Sequence, residues 1–287
     1  MRKFFSQMTL PSKLSAIWIA FVCSLALFGW LLPLPDPSEF DSDAPGVGLF
    51  SPGHLLGTDA GGYDLLSNIV NGARTSLMIA FISVGLGGVI GSALGIISAY
   101  RRGRLDYLVS TGFNMLLAIP NLVLGLALVA VLATSTDGAV EIPPSRRIII
   151  IIFSLTVVII PILGRIARGA TLTWANREFV VAARSMGMRD RDIVVRHVVP
   201  NVLPAIYAVL FLAVGVVIVA EGALSLLGVG VIDGVSWGAM IARVAGEFTY
   251  APQSMYVPVT VLALTVVAFN QLGDYLRGRL DLREGKI

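Results

Sequence analysis

Long apolar runs alternate with polar segments along this chain. Six runs carry almost no charge, namely Leu14–Pro35, Thr75–Tyr100, Tyr107–Thr136, Ile148–Gly164, Val198–Ala220 and Phe248–Gly273. A helix needs roughly 20 apolar residues to cross the hydrocarbon core of a bilayer. Only Ile148–Gly164 is shorter, and Arg165 and Arg168 after it can extend their charges to the interface. Because backbone groups in hydrocarbon must satisfy one another, each run is predicted to be helical. The pattern predicts an all-α polytopic membrane protein with six transmembrane helices.

Composition agrees with this class and narrows the chemistry. Of the 287 residues, 56% are hydrophobic and only 14% are charged, and the mean hydropathy is +0.83. A soluble domain would need far more charge to cover its surface. Two histidines and one cysteine leave little material for a metal site or a disulfide, so we expect this chain to bind no cofactor itself.

The basic residues are distributed unevenly between the two sides of the predicted membrane. With six spans, all but four of the 21 lysines and arginines fall on one side. The exceptions are Arg74, Arg146, Arg147 and Arg243. The positive-inside rule therefore predicts a multi-pass membrane protein with both termini in the cytoplasm. It also explains the isoelectric point near 9.2 without a nucleic-acid partner.

These spans define the predicted organisation of the chain. Residues 1–35 form a cytoplasmic tail and the first helix, which we expect to be retained because no small-residue cleavage site follows it. Residues 36–74, rich in Pro and Gly, form an outer cap with short helices. Residues 75–276 form a core of five spans with a cytoplasmic loop, 171–200, and an outer segment, 222–252. Residues 277–287 form a cytoplasmic tail.

The cytoplasmic loop contains a periodic segment. Its apolar residues recur at i, i+3, i+4 and i+7, which predicts one stripe on a helix; they are Phe179, Ala182, Ala183 and Met186. Gly187 ends this helix, and a second helix is predicted over Ile193–Val199. Periodicity alone leaves two interpretations open: a docking element for a soluble partner, or an amphipathic helix that lies on anionic lipid.

The loop resembles the EAA loop of binding-protein-dependent ABC transporter permeases. The family pattern is E-A-A, three residues, G, nine residues and I-x-L-P. Ala182-Ala183, Gly187 and Pro200 match it in register. Val181 stands at the usual Glu, with Glu178 three residues earlier, and His197 and Val199 replace the usual Ile and Leu. The resemblance implies ATPase coupling through Glu178, Phe179, Ala182, Ala183, Met186, Gly187, His197 and Pro200.

Further segments resemble the "C" permease of the dipeptide and oligopeptide subfamily. In chain order they are His54–Asp59 with Asp64–Ser67, Arg177–Gly187, Arg196–Asn201, Glu221–Gly228 with Ser236–Gly238, and Ala268–Asp274. This resemblance implies the type I importer (MetI-like) permease core preceded by an extra N-terminal span, located in the bacterial plasma (inner) membrane. It also implies a paralogous second permease, cytoplasmic ATPase subunits that hold ATP and Mg²⁺, and an extracytoplasmic solute-binding protein.

The implied function is that of a non-catalytic subunit that forms half of a pathway for short peptides. One alternative is the same architecture importing a nickel chelate, glutathione or haem. An ion-driven secondary transporter would be expected to carry several intramembrane acids, and Glu221 stands alone in the predicted spans. A membrane enzyme would need clustered acids or histidines, whereas His54 and His197 are predicted on opposite sides.

Several polar residues are candidates for the pathway and the outer surface. Glu221, Asn114 and Trp237 are candidate pathway or gate residues. For Glu221 a salt bridge to Arg74 or Arg243 is an equal alternative, because an unpaired carboxylate is costly in a membrane. Candidates for binding-protein docking are Asp59, Asp64 and Arg74.

Two structural expectations concern glycine and proline. Gly87, Gly91 and Gly95 have small-xxx-small spacing, which favours close packing on another helix, including one of the partner permease. Pro120 and Pro161 are predicted to kink the third and fourth spans.

Overall fold

A computed structural model describes residues 8–133, 143–231, 235–246 and 249–284. Ten α-helices lie in these ranges. They are Leu10–Phe28 (α1), Leu65–Arg101 (α2), Gly103–Ala118 (α3), Asn121–Leu132 (α4), Pro144–Trp174 (α5), Glu178–Ser185 (α6), Asp190–Ile193 (α7), Val199–Leu226 (α8), Trp237–Val244 (α9) and Gln253–Glu284 (α10). A 3-10 turn, Gly29–Leu31, follows α1, and a π-helical turn, Val194–Val198, joins α7 to α8.

In the described residues, five helical stretches are long and apolar enough to cross a membrane, and counting one bent helix pair as a span gives six. The five are Leu10–Leu31, Leu65–Arg101, Pro144–Trp174, Asp190–Leu226 and Gln253–Arg279. The bent pair is α3 and α4, which meet at 90°. Pro120 lies at this break, after Ile119 in an extended conformation, as expected for a residue that precedes proline. Five of the predicted spans correspond to these helices, and the predicted third span corresponds to the bent pair. The predicted kink at Pro120 is confirmed, whereas Pro161 lies within the continuous α5.

The second span begins earlier and the last helix ends later than predicted. Helix α2 starts at Leu65 rather than Thr75, because the carboxylate of Asp64 accepts a hydrogen bond from the Ser67 amide at 2.7 Å and caps the helix. Helix α10 continues to Glu284. The predicted limits followed the uncharged runs, which stop at Arg74 and Asp274, whereas both helices continue past these charged residues.

The glycine-rich side of α2 packs against α5. A Cβ atom on Gly91 would overlap the Ile160 carbonyl, and one on Gly95 would overlap the Gly164 carbonyl. The predicted close packing is therefore confirmed, and these glycines face a helix of the same chain rather than the partner permease. Around this contact lies the main core, whose fully buried members include Ile79, Ile151, Leu155, Ile159, Leu163, Ile218 and Phe269.

Residues 36–64 form a compact cap without the predicted short helices. The described chain here makes turns and three isolated β-bridges, Phe40–Tyr63, Ser51–His54 and Thr58–Asp64. Left-handed glycines such as Gly57 and Gly62 sit directly against backbone atoms of neighbouring turns, which favours tight turns over helix. The Gln253 side chain ties the cap to α10 by donating to the Gly46, Val47 and Thr58 carbonyls at 3.1–3.2 Å.

The additional N-terminal helix α1 packs on α10 and α2. Its Trp18 indole donates to the Thr265 hydroxyl at 3.1 Å. We call the end of the bundle that carries Arg101–Arg104 and α6–α7 the basic end, and the end that carries residues 36–64 and α9 the acidic end.

Candidate functional site

The loop between α5 and α8 forms a short helix and a sharp turn, as predicted. Helix α6 ends in a Schellman motif, in which the Gly187 amide donates to the Arg184 carbonyl and the Met188 amide to the Ala183 carbonyl. Gly187 has a φ of +79°, which glycine adopts without steric cost. This motif fixes the direction in which the chain leaves α6.

The second predicted helix is not a separate element. Residues 190–226 form one continuous helical stretch, so Ile193–Val199 is the beginning of the fifth span. The Val199 amide donates to the Val194 carbonyl five residues earlier. Pro200 follows without an N–H group to continue the regular ladder, and the wider π turn accommodates this. Helices α7 and α8 are therefore continuous through the π turn.

The predicted apolar stripe on α6 divides into two faces. Val180 and Ala183 are 1% and 2% exposed, and they pack with Ile193 of α7 and with residues of α5 and α8. Ala183 is therefore part of the packed base, which corrects its assignment to a docking surface. The buried face is centred between positions 180 and 183, and at about 100° per residue the other three stripe positions lie beside it. These are Phe179, Ala182 and Met186, all exposed; we call them the exposed stripe.

The remaining predicted coupling residues lie around the exposed stripe. Glu178 is exposed in the first turn of α6, where a carboxylate interacts favourably with the helix dipole. The half-buried His197 ring lies 6.2 Å from the Phe179 ring between centroids, and Phe179 lies 6.3 Å from Trp174. The structure thus brings residues from α5, α6 and the π turn into one aromatic group, and Pro200 is exposed next to it.

A polar network that the sequence did not reveal joins α2 to the loop. The Tyr100 hydroxyl donates to Asp190 at 2.6 Å and accepts from Arg184 at 3.1 Å. The Arg184 guanidinium also lies over the Tyr100 ring at 5.6 Å. The last turn of α2 is therefore bonded to α6 and α7 together. The three residues are about 90 positions apart at most, and no periodic signal indicates such a pairing.

Two of the candidate pathway residues lie in the packed core. Glu221 is 1% exposed and Trp237 is fully buried. Glu221 accepts hydrogen bonds from the Ser236 and Ser225 hydroxyls at 2.8 and 3.1 Å, and Ser76 lies at 3.5 Å. The predicted salt bridge of Glu221 to Arg74 or Arg243 is wrong, because serine hydroxyls, and not a guanidinium group, contact its carboxylate. Asn114 is exposed on α3, and the gate role of all three candidates stays a prediction.

The structure contradicts the docking role of two of the three outer candidates. Asp59 and Asp64 are 3% and 5% exposed, so a partner protein cannot reach them. Asp59 accepts from the Gly61 and Tyr63 amides and lies 3.7 Å from Arg243. Both carboxylates shape the turns of the cap, a role that acids in Gly-rich loops often have. Arg74 is exposed on α2.

His54 connects two acids of the cap. Its Nδ1 lies 2.9 Å from Asp64, the residue that caps α2, and its Nε2 lies 3.4 Å from Asp41. The hydrogen bond to Asp64 raises the pKa of His54 above its usual 6.5, although burial opposes this shift. His54 is therefore a buried structural residue of the cap.

The fold is similar to that of solved ABC transporter subunits. A chain of the inward-facing MetNI methionine ABC transporter superposes with a TM-score of 0.59 at 22% identity, covering 73% of this chain and 94% of that one. A chain from an amino acid ABC transporter with histidines gives 0.51 at 14% identity, covering 71% and 90%. At these identities the similarity establishes the fold.

Sequence comparison establishes the family. Residues 91–286 match the family described as the binding-protein-dependent transport system inner membrane component. The chain is 31% identical to the dipeptide transport system permease protein DppC of Alkalihalophilus pseudofirmus, over 98% of this chain and 89% of that protein. It is 32% identical to the glutathione transport system permease protein GsiD of Pectobacterium atrosepticum, over 93% and 85%. The chain therefore belongs to the family of inner membrane components of binding-protein-dependent transport systems.

Proposed function

We propose that this chain is the permease subunit of an ATP-driven importer of short peptides. It forms half of the translocation pathway, and a related second permease forms the other half. Its family membership supports a transport role. The chain contains no Gly-x-x-x-x-Gly-Lys-Ser/Thr phosphate-binding loop, so ATP and Mg²⁺ belong to partner ATPase subunits.

The exposed stripe on a rigid base is the observation that carries this proposal. Phe179 is 41% and Met186 is 77% exposed, and the small Ala182 between them allows another surface to approach closely. Aromatic residues and methionine on a rigid support are typical of protein-protein contacts. An ATPase that binds here moves α6, and the Tyr100 network and the continuous α7–α8 helix carry that motion into two spans.

The two ends of the bundle suggest where the other partners bind. The basic end lies in the cytoplasm, where the positive-inside rule places arginine-rich loops. The acidic end then faces outward and receives an extracytoplasmic solute-binding protein. Exposed Arg74 is retained as a proposed contact on that side, whereas Asp59 and Asp64 are not.

The relatives favour a peptide as the solute. One of them is named for dipeptide transport and another for glutathione transport, and glutathione is itself a tripeptide. Nickel chelates and haem have no comparable support.

The test substitutes one residue of the exposed stripe in the reconstituted transporter. Ala182→Trp places a large ring where a partner surface must approach, so we expect ATPase activity stimulated by dipeptide-loaded binding protein to fall about tenfold or more. Val181→Trp is the matched control, since Val181 is 56% exposed on the same helix and is not at i±3 or i±4 from Ala182. It should retain most of the activity.

Ala182→Trp must also insert and melt like the unsubstituted protein, because its position is exposed. Normal stimulated activity in Ala182→Trp, or an equal loss in Val181→Trp, would contradict coupling through the exposed stripe. A normal response to an unrelated solute but none to dipeptides would contradict the peptide assignment alone.

A further inference from the structure

A second surface feature of the basic end lies beside the exposed stripe. A cavity of about 920 Å³ opens between the last turns of α2 and the α7 segment. Its wall contains Tyr100, Arg101, Arg184, Asp190 and Arg191. None of the three exposed-stripe residues lines it, so a ligand here does not compete directly for the stripe.

The charges around this cavity do not balance. Three arginines face one acid, and that acid, Asp190, already accepts from Tyr100 and lies 3.9 Å from Arg184. Within the described part of the chain, Arg101 and Arg191 pair with no carboxylate. Arg101 at the end of α2 and Arg191 in α7 thus give one cavity two guanidinium groups without a carboxylate partner, which favours an anionic ligand, and phosphate oxygens match their geometry.

The remaining lining of the cavity is apolar. Ile97 lies one turn before Tyr100 on the spanning helix α2 and is 47% exposed, and Val195 in the π turn is 58% exposed. Val194 extends this surface towards α8. The arginines therefore lie at the polar end of the spans, and the apolar wall continues towards the hydrocarbon. An inorganic anion has no apolar part to cover these side chains, whereas a phospholipid has both an anionic headgroup and an apolar chain.

We propose that this cavity binds an anionic phospholipid. Arg101 and Arg191 contact its phosphate, and the first carbons of an acyl chain cover Ile97 and Val195. Basic pockets between spanning helices at the cytoplasmic boundary are suited to anionic headgroups. A lipid bound here bridges α2 and α7, the same elements that Tyr100 connects, and thus stabilises the position of the loop helices. The proposal does not require that an ATPase docks on α6.

The test measures lipid binding by the purified full-length chain in a zwitterionic detergent. Dihexanoylphosphatidylglycerol, dihexanoylphosphatidylcholine and inorganic phosphate are titrated separately, and each Kd is taken from the saturable rise in Tm. We expect a rise with phosphatidylglycerol only. Replacing both arginines, R101Q with R191Q, should weaken that binding roughly 10- to 30-fold, since each surface arginine contributes about 1 kcal/mol to anionic lipid binding.

The matched control removes the same charge outside the cavity. Arg104 and Arg189 are exposed at the same end and do not line the cavity, so R104Q with R189Q should change the Kd less than about threefold. R101K with R191K keeps the charge and should retain most binding, which separates charge from folding defects. If R101Q with R191Q does not melt cooperatively, each single variant is titrated instead.

Four outcomes would overturn the proposal. Equal binding of the two lipids would remove the anion requirement, and an equal Tm rise with inorganic phosphate would assign the site to free phosphate. An equal loss in the control pair would reduce the effect to general surface charge. Unchanged lipid binding together with weakened ATPase association in R101Q with R191Q would make the cavity a contact for the partner protein.

Discussion

Glu221 is a buried acid whose hydrogen-bond partners offset the free-energy cost of its burial. A buried carboxylate without partners is strongly destabilising, and here the Ser76, Ser225 and Ser236 hydroxyls surround it. Ser236 also caps α9 through the Ala239 amide at 3.0 Å. The group thus joins α2, α8 and α9 around one acceptor, which favours a structural role.

Removal of this acceptor should therefore affect stability. Glu221→Ala leaves a cavity and several unpaired hydroxyls, so we expect a loss of about 2–5 kcal/mol in unfolding free energy. Glu221→Gln keeps the volume and one acceptor and should lose less. The measurement is thermal unfolding of the purified chain in detergent. Unchanged melting of Glu221→Ala combined with altered uptake would instead support a gate role.

His54 makes the acidic end sensitive to pH. Its pKa is raised above 6.5 chiefly by the hydrogen bond to Asp64, with Asp41 also facing it. The protonated form is thus favoured by folding, so its contribution is complete below pH 6.5 and is lost as the pH rises through the higher folded-state pKa.

We expect backbone amides of residues 41–64 to be better protected from hydrogen exchange at about pH 5.5 than at about pH 8.5, after correction for intrinsic rates. His54→Gln should reduce protection at the lower pH and remove most of this difference. Asp41→Asn, which affects the longer contact of 3.4 Å, should have the smaller effect. Equal pH dependence in His54→Gln would refute the assignment.

At the scale of elements, the contact between α2 and α5 depends on glycine residues, which have no side chain. Gly91 and Gly95 let the two backbones approach so closely that any Cβ would meet a carbonyl oxygen. The Phe113 ring of α3 also lies directly against Gly164. Arg168 of α5 holds α3 in place through two hydrogen bonds to Asp106, at 2.6 and 2.8 Å.

A matched pair of substitutions on α2 tests this contact. Gly91→Ala must separate the helices, so we expect a loss of about 1–3 kcal/mol. Gly85→Ala lies on the same helix, is exposed and has no neighbour within 4 Å of the added Cβ. It should be neutral or stabilising by up to about 1 kcal/mol. Melting temperatures of both variants in one detergent give the comparison, and similar losses would contradict the proposed packing.

At the scale of the whole molecule, the distribution of charge predicts the orientation. Arginines concentrate at the basic end beside α6, and the acids of the cap lie at the opposite end of the spans. Moving the arginine-rich loop across a membrane would be unfavourable. Ser185 and Ser38 are exposed at the two ends and serve as reporters.

In a Cys23→Ser background, Ser38→Cys should react with a membrane-impermeant maleimide in cells whose inner membrane is intact. Ser185→Cys should react only after that membrane is permeabilised. Cys23 lies within α1, so its replacement removes the background without touching either reporter. The reverse labelling pattern would invert the predicted topology and remove the cytoplasmic assignment of the exposed stripe.

The local chemistry of the sequence was sufficient for the architecture. Apolar runs longer than a bilayer core predicted the spans, Pro120 predicted the bend, and Gly187 predicted the end of α6. Each of these features depends on residues near one another in the chain, where backbone geometry and periodicity act directly. The motifs at Ala182–Gly187 and elsewhere identified the family for the same reason.

Only the tertiary structure decided how the polar residues are used. Sequence showed that α6 has an apolar stripe, but the packing of Val180 and Ala183 determined which part stays exposed. Glu221 and Ser76 are 145 positions apart, and Tyr100 and Asp190 are 90 apart. Such pairs form because helices pack side by side, and neither periodicity nor composition carries that information. The packing of the bundle decides whether an acidic side chain is buried, where it supports the structure, or exposed, where it can contact a partner.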